Sequence, residues 1–180
     1  MIEDELRELH QRLDRETREQ WDRSLPLQEL LSDRWQRAQA LGFGEDASIY
    51  ASSYVYGDVR VGARTWIGPF TLLDGSGGLE IGVNCSISAG VQIYTHDSVE
   101  WALSGGVAEY ERAPVSIGDC CHIGAQTIIV RGVSIGDHCV IGATSFVNRD
   151  VPPFTIAAGA PCRPIGRVQI ADGRVSLVFS

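Results

Sequence analysis

A period of six residues runs through most of this chain and limits the folds that it can adopt. Fifteen positions at this spacing, in three blocks, all hold Ile, Val or Leu. They are Ile49, Val55, Val61, Ile67, Leu73 and Leu79, then Ile81, Ile87 and Ile93, and then Ile117, Ile123, Ile129, Ile135, Ile141 and Val147. A helix repeats every 3.6 residues and a simple strand every two, so neither uses a period of six. Short strands separated by regular corners do use it, and the repeat therefore predicts a solenoid of strands.

A second set of positions supports the same interpretation. Four residues after each aliphatic position the chain carries a small or β-branched side chain, and Asp97 is the one exception. Gly often follows the aliphatic residue, as at Gly62 and Gly124, where we expect it to ease a tight turn. Three hexads make one coil, and stacked coils would lie about 4.8 Å apart, the spacing of hydrogen-bonded strands. The pattern predicts a parallel β-helix whose coils cover one another's inward residues.

The segments around the repeat set the predicted domain boundaries. Residues 1–43 are rich in charge and carry leucines at helical spacing, which predicts an amphipathic helical segment that caps the body. The β-helix is predicted over residues 44–154, with an excursion loop over 97–116 in which the expected aliphatic positions hold Gly and Glu. The repeat resumes in frame, so we expect the loop to project from a corner, where functional residues often lie. Residues 155–180 predict a tail made of a loop and a short β-hairpin.

Composition excludes several classes of function. A net charge of −8 argues against nucleic-acid binding, which depends on basic residues that neutralise phosphates. The chain has no run of 18 apolar residues and its first residues are charged, so we expect neither a membrane span nor a secretory signal. The expected location is therefore the cytoplasm. Five cysteines without zinc-site spacing do not make a disulfide framework. Cys121 and Cys139 fall one coil apart at small inward positions, where we expect them to fill the core and not to bind a metal.

His96 is the candidate catalytic residue. It lies three positions after Ile93, at the corner just before the loop, so it is not an inward core position. A lone histidine is by default structural or solvated, but a neutral imidazole beside a projecting loop is suited to removing a proton from an alcohol or amine during acyl transfer. Its other ring nitrogen needs an orienting partner. Glu100, Asp97 and a backbone carbonyl all remain open for that role.

The stretches "YTHD" and "AAGAPCRPIG" are the most specific features of the chain. With the repeat around them, residues 49 to about 167 resemble the hexapeptide-repeat acetyltransferases, which are left-handed parallel β-helices. Galactoside and maltose acetyltransferases and the O-acetyltransferases of polysaccharide biosynthesis are members of this family. The resemblance implies a homotrimer, acetyl-coenzyme A (acetyl-CoA) as acyl donor in a groove between neighbouring β-helices, no metal, and His96 as general base.

The resemblance also implies binding residues. For the pantetheine arm of acetyl-CoA they are the backbone amides of Ala125 and Ala143. Near the nucleotide end they are Asn148, Arg149, Arg163 and Arg167. The family's last Arg aligns with Gly166, one position before Arg167. Asp74 falls near an acidic residue that binds sugar hydroxyls in the family, and a turn-forming Asp is the equal alternative. Trp101 and Tyr110 are candidates for stacking on a sugar ring or for packing the loop on a neighbouring subunit.

Together these features predict an enzyme that moves an acetyl group from acetyl-CoA to a hydroxyl or amino group of a sugar or sugar derivative. The acceptor, and the choice between O- and N-acetylation, stay open. The alternative from another class is a non-catalytic β-helix that binds a partner or a sugar nucleotide. A γ-class carbonic anhydrase is disfavoured, because that family's zinc site needs two histidines five residues apart, and His96, His122 and His138 are spaced more widely.

Overall fold

The computed structural model describes all 180 residues, and its main body is a stack of coils with three faces. The first face contains β1 (Ser48–Ile49), β3 (Trp66–Ile67), β5 (Ser86–Ile87), β10 (His122–Ile123), β13 (Val140–Ile141) and β15 (Thr155–Ala158). The other two faces contain β2 (Tyr54–Val61), β4 (Leu72–Ile81), β6 (Gln92–Ile93), β9 (Val115–Ile117), β11 (Ile128–Ile129), β12 (Ser134–Ile135) and β14 (Phe146–Val147). Neighbouring strands within each face are parallel, which confirms the predicted β-helix.

The register of the strands explains the six-residue period. Ile49 pairs with Ile67, Ile67 with Ile87, and Ile123 with Ile141, so the repeated aliphatic residues form columns inside the stack. Fourteen of the fifteen are buried, and Val55 is half-buried. Burial of one such side chain contributes roughly 1.5–3 kcal/mol, so these columns supply most of the hydrophobic stabilisation of the coils.

The glycines that follow the aliphatic residues have a second role besides the one predicted. Glycines at 62, 68, 82, 118, 124, 136 and 142 each directly precede a two-residue turn, as predicted, but none has a positive φ, so the turn does not demand a left-handed backbone there. A Cβ on Gly124 would lie 2.4 Å from the backbone nitrogen of Ala143, and one on Gly62 would lie 2.6 Å from the carbonyl carbon of Gly82. Glycine is required at these positions because the backbone of the next coil passes too close for any side chain.

Three helices precede the first coil: α1 (Ile2–Trp21), α2 (Leu27–Leu30) and α3 (Arg34–Ala40). The buried carboxylate of Glu29 accepts hydrogen bonds from the backbone amides of Ala51 and Ser52, both at 2.9 Å. From α3, Arg37 donates to the carbonyl of Ser53 at 2.8 Å. These contacts attach α2 and α3 to the first coil, whereas α1 packs on α2 and has no buried residue. No helix combines the length and apolar character needed to cross a membrane.

The C-terminal end of the stack extends past the predicted boundary at residue 154. Strand β15 runs parallel to β13, so the coils continue through Ala158. The chain then turns back into β16 (Arg163–Ala171), which pairs antiparallel with β15 and with the outer strand β17 (Arg174–Phe179). The hairpin is therefore a continuation of the first face, and every residue of β17 is exposed.

The excursion loop leaves the coil between the second and third faces. Its two ends form a short antiparallel ribbon of β7 (His96–Asp97) and β8 (Glu111–Arg112), which we call the loop neck. Between them lies α4 (Val99–Leu103), which has no buried residue. The coil resumes at Val115, which pairs with Leu79. The predicted loop ends at residue 116, which would make residue 117 the first of the coil, so the loop ends two residues earlier than predicted.

Candidate active site

A bulge in β4 supplies one side of the candidate site. Gly57 of β2 pairs with Gly75 of β4, but the next pair joins Val59 to Leu79, so β4 holds two additional residues. The sequence shows this bulge as the two-residue slip in the repeat at "GSGG". Bulges re-aim side chains at functional sites, and this one places Ser76 close to the start of the loop.

The bulge brings Asp74 and Ser76 to the ring of His96. Nδ1 of His96 lies 2.6 Å from Oδ2 of Asp74 and 3.0 Å from Oγ of Ser76. Ser76 in turn donates to Oδ1 of Asp74 from its hydroxyl at 2.5 Å and from its backbone amide at 3.0 Å. The Asp74 side chain is 2% exposed and the His96 side chain 35% exposed. The imidazole therefore reaches solvent while its partner carboxylate lies behind it.

The electrostatics of Asp74 fix the tautomer of His96. Burial alone would raise the pKa of Asp74, but hydrogen bonds from Ser76, from the backbone amide of Thr95 at 2.8 Å and from His96 outweigh it and hold this pKa well below its usual value. An ionised carboxylate only accepts hydrogen bonds, so Nδ1 of His96 must carry a proton. In the neutral imidazole the lone pair is then on Nε2, which is the form that a general base requires.

This geometry bears on the two roles predicted for Asp74. Its buried carboxylate accepts a hydrogen bond from the backbone amide of Ser76 two residues on, as in the turn-forming alternative, and contact with an acceptor's hydroxyl groups stays a prediction. It also shows that Asp74 is the group that orients His96, because Asp74 contacts Nδ1. None of the candidates left open by the sequence makes this contact. Asp97 instead forms an ion pair with Arg131. The sequence signal for Asp74 was present, since the slip in the repeat begins directly after it.

Aromatic residues of the loop form a wall beside His96. The ring of Tyr110 stacks on the imidazole, with centroids 6.0 Å apart and an interplanar angle of 19°. Trp101 of α4 contacts Tyr110 edge to face at 5.5 Å. Both aromatic side chains are partly exposed, Trp101 by 42% and Tyr110 by 38%. Tyr110 is thus the aromatic residue nearest the candidate base, and Trp101 supports it.

The predicted donor-binding amides lie at a different corner of the coil from His96. Ala125 and Ala143 follow the first face, whereas His96 follows the second. The two alanines stack one coil apart, and the backbone amide of Thr144 donates to the carbonyl of Ala125 at 2.8 Å. The amides of Ala125 and Ala143 themselves make no hydrogen bond within the chain. A single chain therefore presents this column of free amides away from its own His96.

The four polar residues predicted for the nucleotide end are all exposed, and the structure brings two of them together. Arg149 and Arg163 line one cavity of about 160 Å³, along with Cys162. Asn148 and Arg167 do not line it. Asp150 lines the cavity as well, so the two arginines share it with one carboxylate residue. Arg suits a phosphate because it offers several donors in a planar fork.

Cys121 and Cys139 fill the core, as their spacing predicts, whereas Cys120 is exposed. Cys85, Cys121 and Cys139 are buried free thiols in consecutive coils, and the thiol of Cys121 donates to the carbonyl of Gly136 at 3.1 Å. The structure holds no group of three or more His, Cys, Asp or Glu side chains arranged to bind a metal ion.

Sequence reasoning missed three residues of the site: Ser76, Thr95 and Arg131. Ser76 and Thr95 form hydrogen bonds to Asp74. Except for the slip in the repeat at the bulge, nothing in their spacing distinguishes these two residues. Arg131 bonds Asp97 and Glu111 at the loop neck. Its signal was indirect, because Asp97 is the one charged residue at a small inward position of the repeat and needs a partner.

Comparison with known proteins agrees with this architecture. Residues 114–149 match the model of the hexapeptide repeat of succinyl-transferase. A hexapeptide-repeat acetyltransferase of Vibrio cholerae, solved in complex with acetyl-CoA, is 28% identical, with a TM-score of 0.64, and the alignment covers 91% of this chain and 87% of that one. The fold and the repeat define a hexapeptide-repeat β-helix protein.

Two curated relatives are named for the transfer of acetyl groups. The galactoside O-acetyltransferase of Escherichia coli is 30% identical over 62% of this chain and 65% of its own length. The 2,3,4,5-tetrahydropyridine-2,6-dicarboxylate N-acetyltransferase of Halalkalibacterium halodurans is 44% identical over 49% of this chain and 33% of its own length. The chain thus spans less than two thirds of these curated relatives. These similarities confirm the resemblance to hexapeptide-repeat acetyltransferases found in the sequence.

Proposed function

We propose that this protein is an acetyltransferase that moves the acetyl group of acetyl-CoA to a hydroxyl or amino group of a sugar or sugar derivative. The observation that carries the proposal is the contact of 2.6 Å between Nδ1 of His96 and the buried Asp74. It leaves Nε2 of a partly exposed imidazole free to accept a proton. Relatives that transfer acetyl groups to both oxygen and nitrogen support the reaction class, and neither atom is favoured by the site.

The proposed reaction uses His96 first as a base and then as an acid. Nε2 removes the proton from the acceptor's hydroxyl or amine while that atom attacks the thioester carbonyl carbon. When the tetrahedral intermediate collapses, the carbon–sulfur bond breaks and the imidazolium returns the proton to the departing thiolate. The ionised Asp74 stabilises the imidazolium that forms between these steps, and its hydrogen bonds from Ser76 and Thr95 keep it in place.

The donor half of the site supports an oligomer. Because Ala125 and Ala143 lie at a different corner from His96, we infer that acetyl-CoA is bound along the amide column of one subunit and reacts beside His96 of another. The homotrimer implied by the family resemblance provides such a groove. Asn148, Arg149, Arg163 and Arg167 are the residues proposed for the nucleotide end, and the cavity shared by Arg149 and Arg163 makes these two the stronger candidates.

Substitution of the proposed base tests the function most directly. We expect His96→Ala to keep the fold and oligomeric state of the wild type and to lose acetyl transfer by at least about a hundredfold, the lower end for general-base catalysis. His10→Ala is the matched control, since it removes a histidine from α1, which packs on α2. Transfer is measured as free thiol released from acetyl-CoA with free sugars, amino sugars and nucleotide sugars as acceptors.

The non-catalytic alternative has its own readout. A scaffold without enzymatic function has no reason to bind acetyl-CoA. Calorimetric titration of the wild type with acetyl-CoA is expected to show binding at micromolar strength if the protein is an enzyme, and no binding if it is a scaffold. Retained transfer in His96→Ala contradicts the assignment of the base. Absence of acetyl-CoA binding contradicts the whole proposal.

A further inference from the structure

Arg131 joins the two ends of the excursion loop to a different coil. It lies at the corner that follows β11, one coil beyond the loop neck. Its Nε lies 2.5 Å from Oδ2 of Asp97 in β7, and its Nη2 contacts Oε2 of Glu111 in β8. One guanidinium group thus bridges a carboxylate on each strand of the neck, which uses the planar fork that distinguishes Arg from Lys.

Apart from His96, which bonds Asp74 and Ser76 of β4, no other side chain of the loop or its neck makes a polar connection to the coils. The side chains of Ser104 and Asp97 bond amides inside the loop, at Val107, Ala108 and Val99. The helix α4 is held by its own backbone hydrogen bonds. None of residues 97–114 is buried, so apolar packing contributes little to holding the loop in place. Beyond the backbone pairing at the neck and the contacts of His96, Arg131 is the side chain that fixes the position of the loop.

The two carboxylates are adjacent in sequence to the residues that form the site. Asp97 follows His96, and Glu111 follows Tyr110, whose ring stacks on the imidazole. The backbone pairs Asp97 with Glu111 directly across the neck. A bridge between these two carboxylates therefore controls how closely Tyr110 approaches His96.

We propose that Arg131 is a positioning residue that clamps the loop neck and so holds Tyr110 against His96, on the acceptor's side of the site. The kinetic consequences of this inference rest on the proposed function, whereas the clamp itself is independent of that function. The three side chains are between 33% and 40% exposed, so the clamp is reached by solvent and is weakened by salt. It acts through Tyr110 and His96 and makes no contact with the donor column at the other corner.

Hydrogen exchange of the acetyl-CoA-free protein tests the clamp without any assay of activity. We expect Arg131→Gln to speed exchange of amides in residues 97–112 by about fivefold, as befits two partly exposed ion pairs, and to leave the coils unchanged. Arg60→Gln is the matched control, because Arg60 also bridges two carboxylates, Asp58 and Glu80, outside the loop. We expect Arg131→Lys to restore part of the protection, since Lys replaces the charge but not the fork.

Ionic strength provides a second readout on the same samples. In 1 M salt the wild-type loop is expected to exchange nearly as fast as Arg131→Gln at low salt, whereas Arg131→Gln itself changes little. Equal loop exchange in wild type and Arg131→Gln overturns the proposal. So does an equal acceleration throughout the coils, because that result shows general destabilisation.

Steady-state kinetics test the consequence for the acceptor. With the sugar that gives the fastest transfer in the wild type, we expect Arg131→Gln to raise the acceptor's KM by up to about fivefold, the factor by which loop opening increases, and to leave the KM of acetyl-CoA unchanged. Equal increases in both KM values overturn the positional role. If the wild type proves inactive, the proposed function fails, while the exchange measurements still decide whether Arg131 clamps the loop.

Discussion

The coils and the excursion loop are held in place by different means. In the coils, buried aliphatic residues recur in register from one turn to the next, and each coil covers the aliphatic residues of the coil beneath it. In the loop, no residue from 97 to 114 is buried, and one arginine supplies the side-chain connection of these residues to the body. The rigid part of the molecule therefore carries His96 and Asp74 at its edge, and the weakly held part supplies Tyr110.

The difference has a physical meaning for where chemistry is placed. A general base must keep its geometry to within fractions of an ångström, and a buried carboxylate on a bulged strand provides that precision. A binding wall that admits an acceptor has to open, and segments with little buried surface open at low cost in free energy. Each of the following predictions tests one side of this comparison, in order of the size of the expected effect.

A cavity in the coils is expected to have the largest effect on stability. Ile123 is fully buried between its neighbours Ile87 and Ile141, so Ile123→Ala removes packing from three coils at once. We expect the free energy of unfolding to fall by about 2–5 kcal/mol, measured by urea denaturation. Leu103→Ala is the matched loop variant, because Leu103 is 85% exposed, and it should change stability by less than about 0.5 kcal/mol. Similar losses in the two variants would contradict the comparison.

Loss of the buried carboxylate at the edge of the coils is expected to have an intermediate, pH-dependent effect. Asp74→Asn should lower the free energy of unfolding at pH 7 by about 1–3 kcal/mol, because hydrogen bonds to a charged group are lost. The folded pKa of Asp74 lies below its unfolded value, so its contribution is complete above about pH 5 and declines as the pH falls further.

Urea denaturation of both proteins between pH 7 and pH 3 checks this sign. The difference in stability between wild type and Asp74→Asn should stay constant down to about pH 5 and narrow below about pH 4. A difference that widens on acidification, or that stays the same throughout, would show that the carboxylate is not stabilised in its ionised form.

Removal of the loop is expected to have the smallest effect on stability. Replacement of residues 99–109 by a short Gly-Ser linker keeps the loop neck and Arg131 but deletes α4 and Trp101. We expect the free energy of unfolding to change by less than about 1 kcal/mol, since little surface is buried and closure of a loop depends weakly on its length. Transfer to the acceptor should be lost, while calorimetry should still show acetyl-CoA binding. A destabilised or unfolded variant would mean that the loop supports the coils.

The fold was largely predictable from sequence because a repeat imposes the same demand many times. A single aliphatic residue such as Ile67 is uninformative, but the agreement of fifteen positions leaves only a coil of regular strands. Gly124 shows the limit of this approach. The sequence predicts a turn after it, but only coordinates show that the backbone of Ala143 occupies the space that a Cβ would need.

The site was predictable only in part, because its contacts cross between coils. His96 stands out at the point where the repeat stops, so its position alone suggested its importance. The pairing of His96 with Asp74 depends on a bulge that shifts the register by two residues, and periodicity cannot place side chains within a bulge. The contact of Arg131 with Asp97 joins residues 34 positions apart, which no local pattern reveals.

The loop neck has a consequence for how such proteins diversify. Because β7 and β8 pair with each other, the chain leaves and re-enters the coil at neighbouring points, and the strands before and after it keep their register. Insertions, deletions or whole replacements between Asp97 and Glu111 therefore leave the core sequence under no pressure to change. The protein is in effect modular at this one corner, so about a dozen residues can be exchanged on an unaltered scaffold.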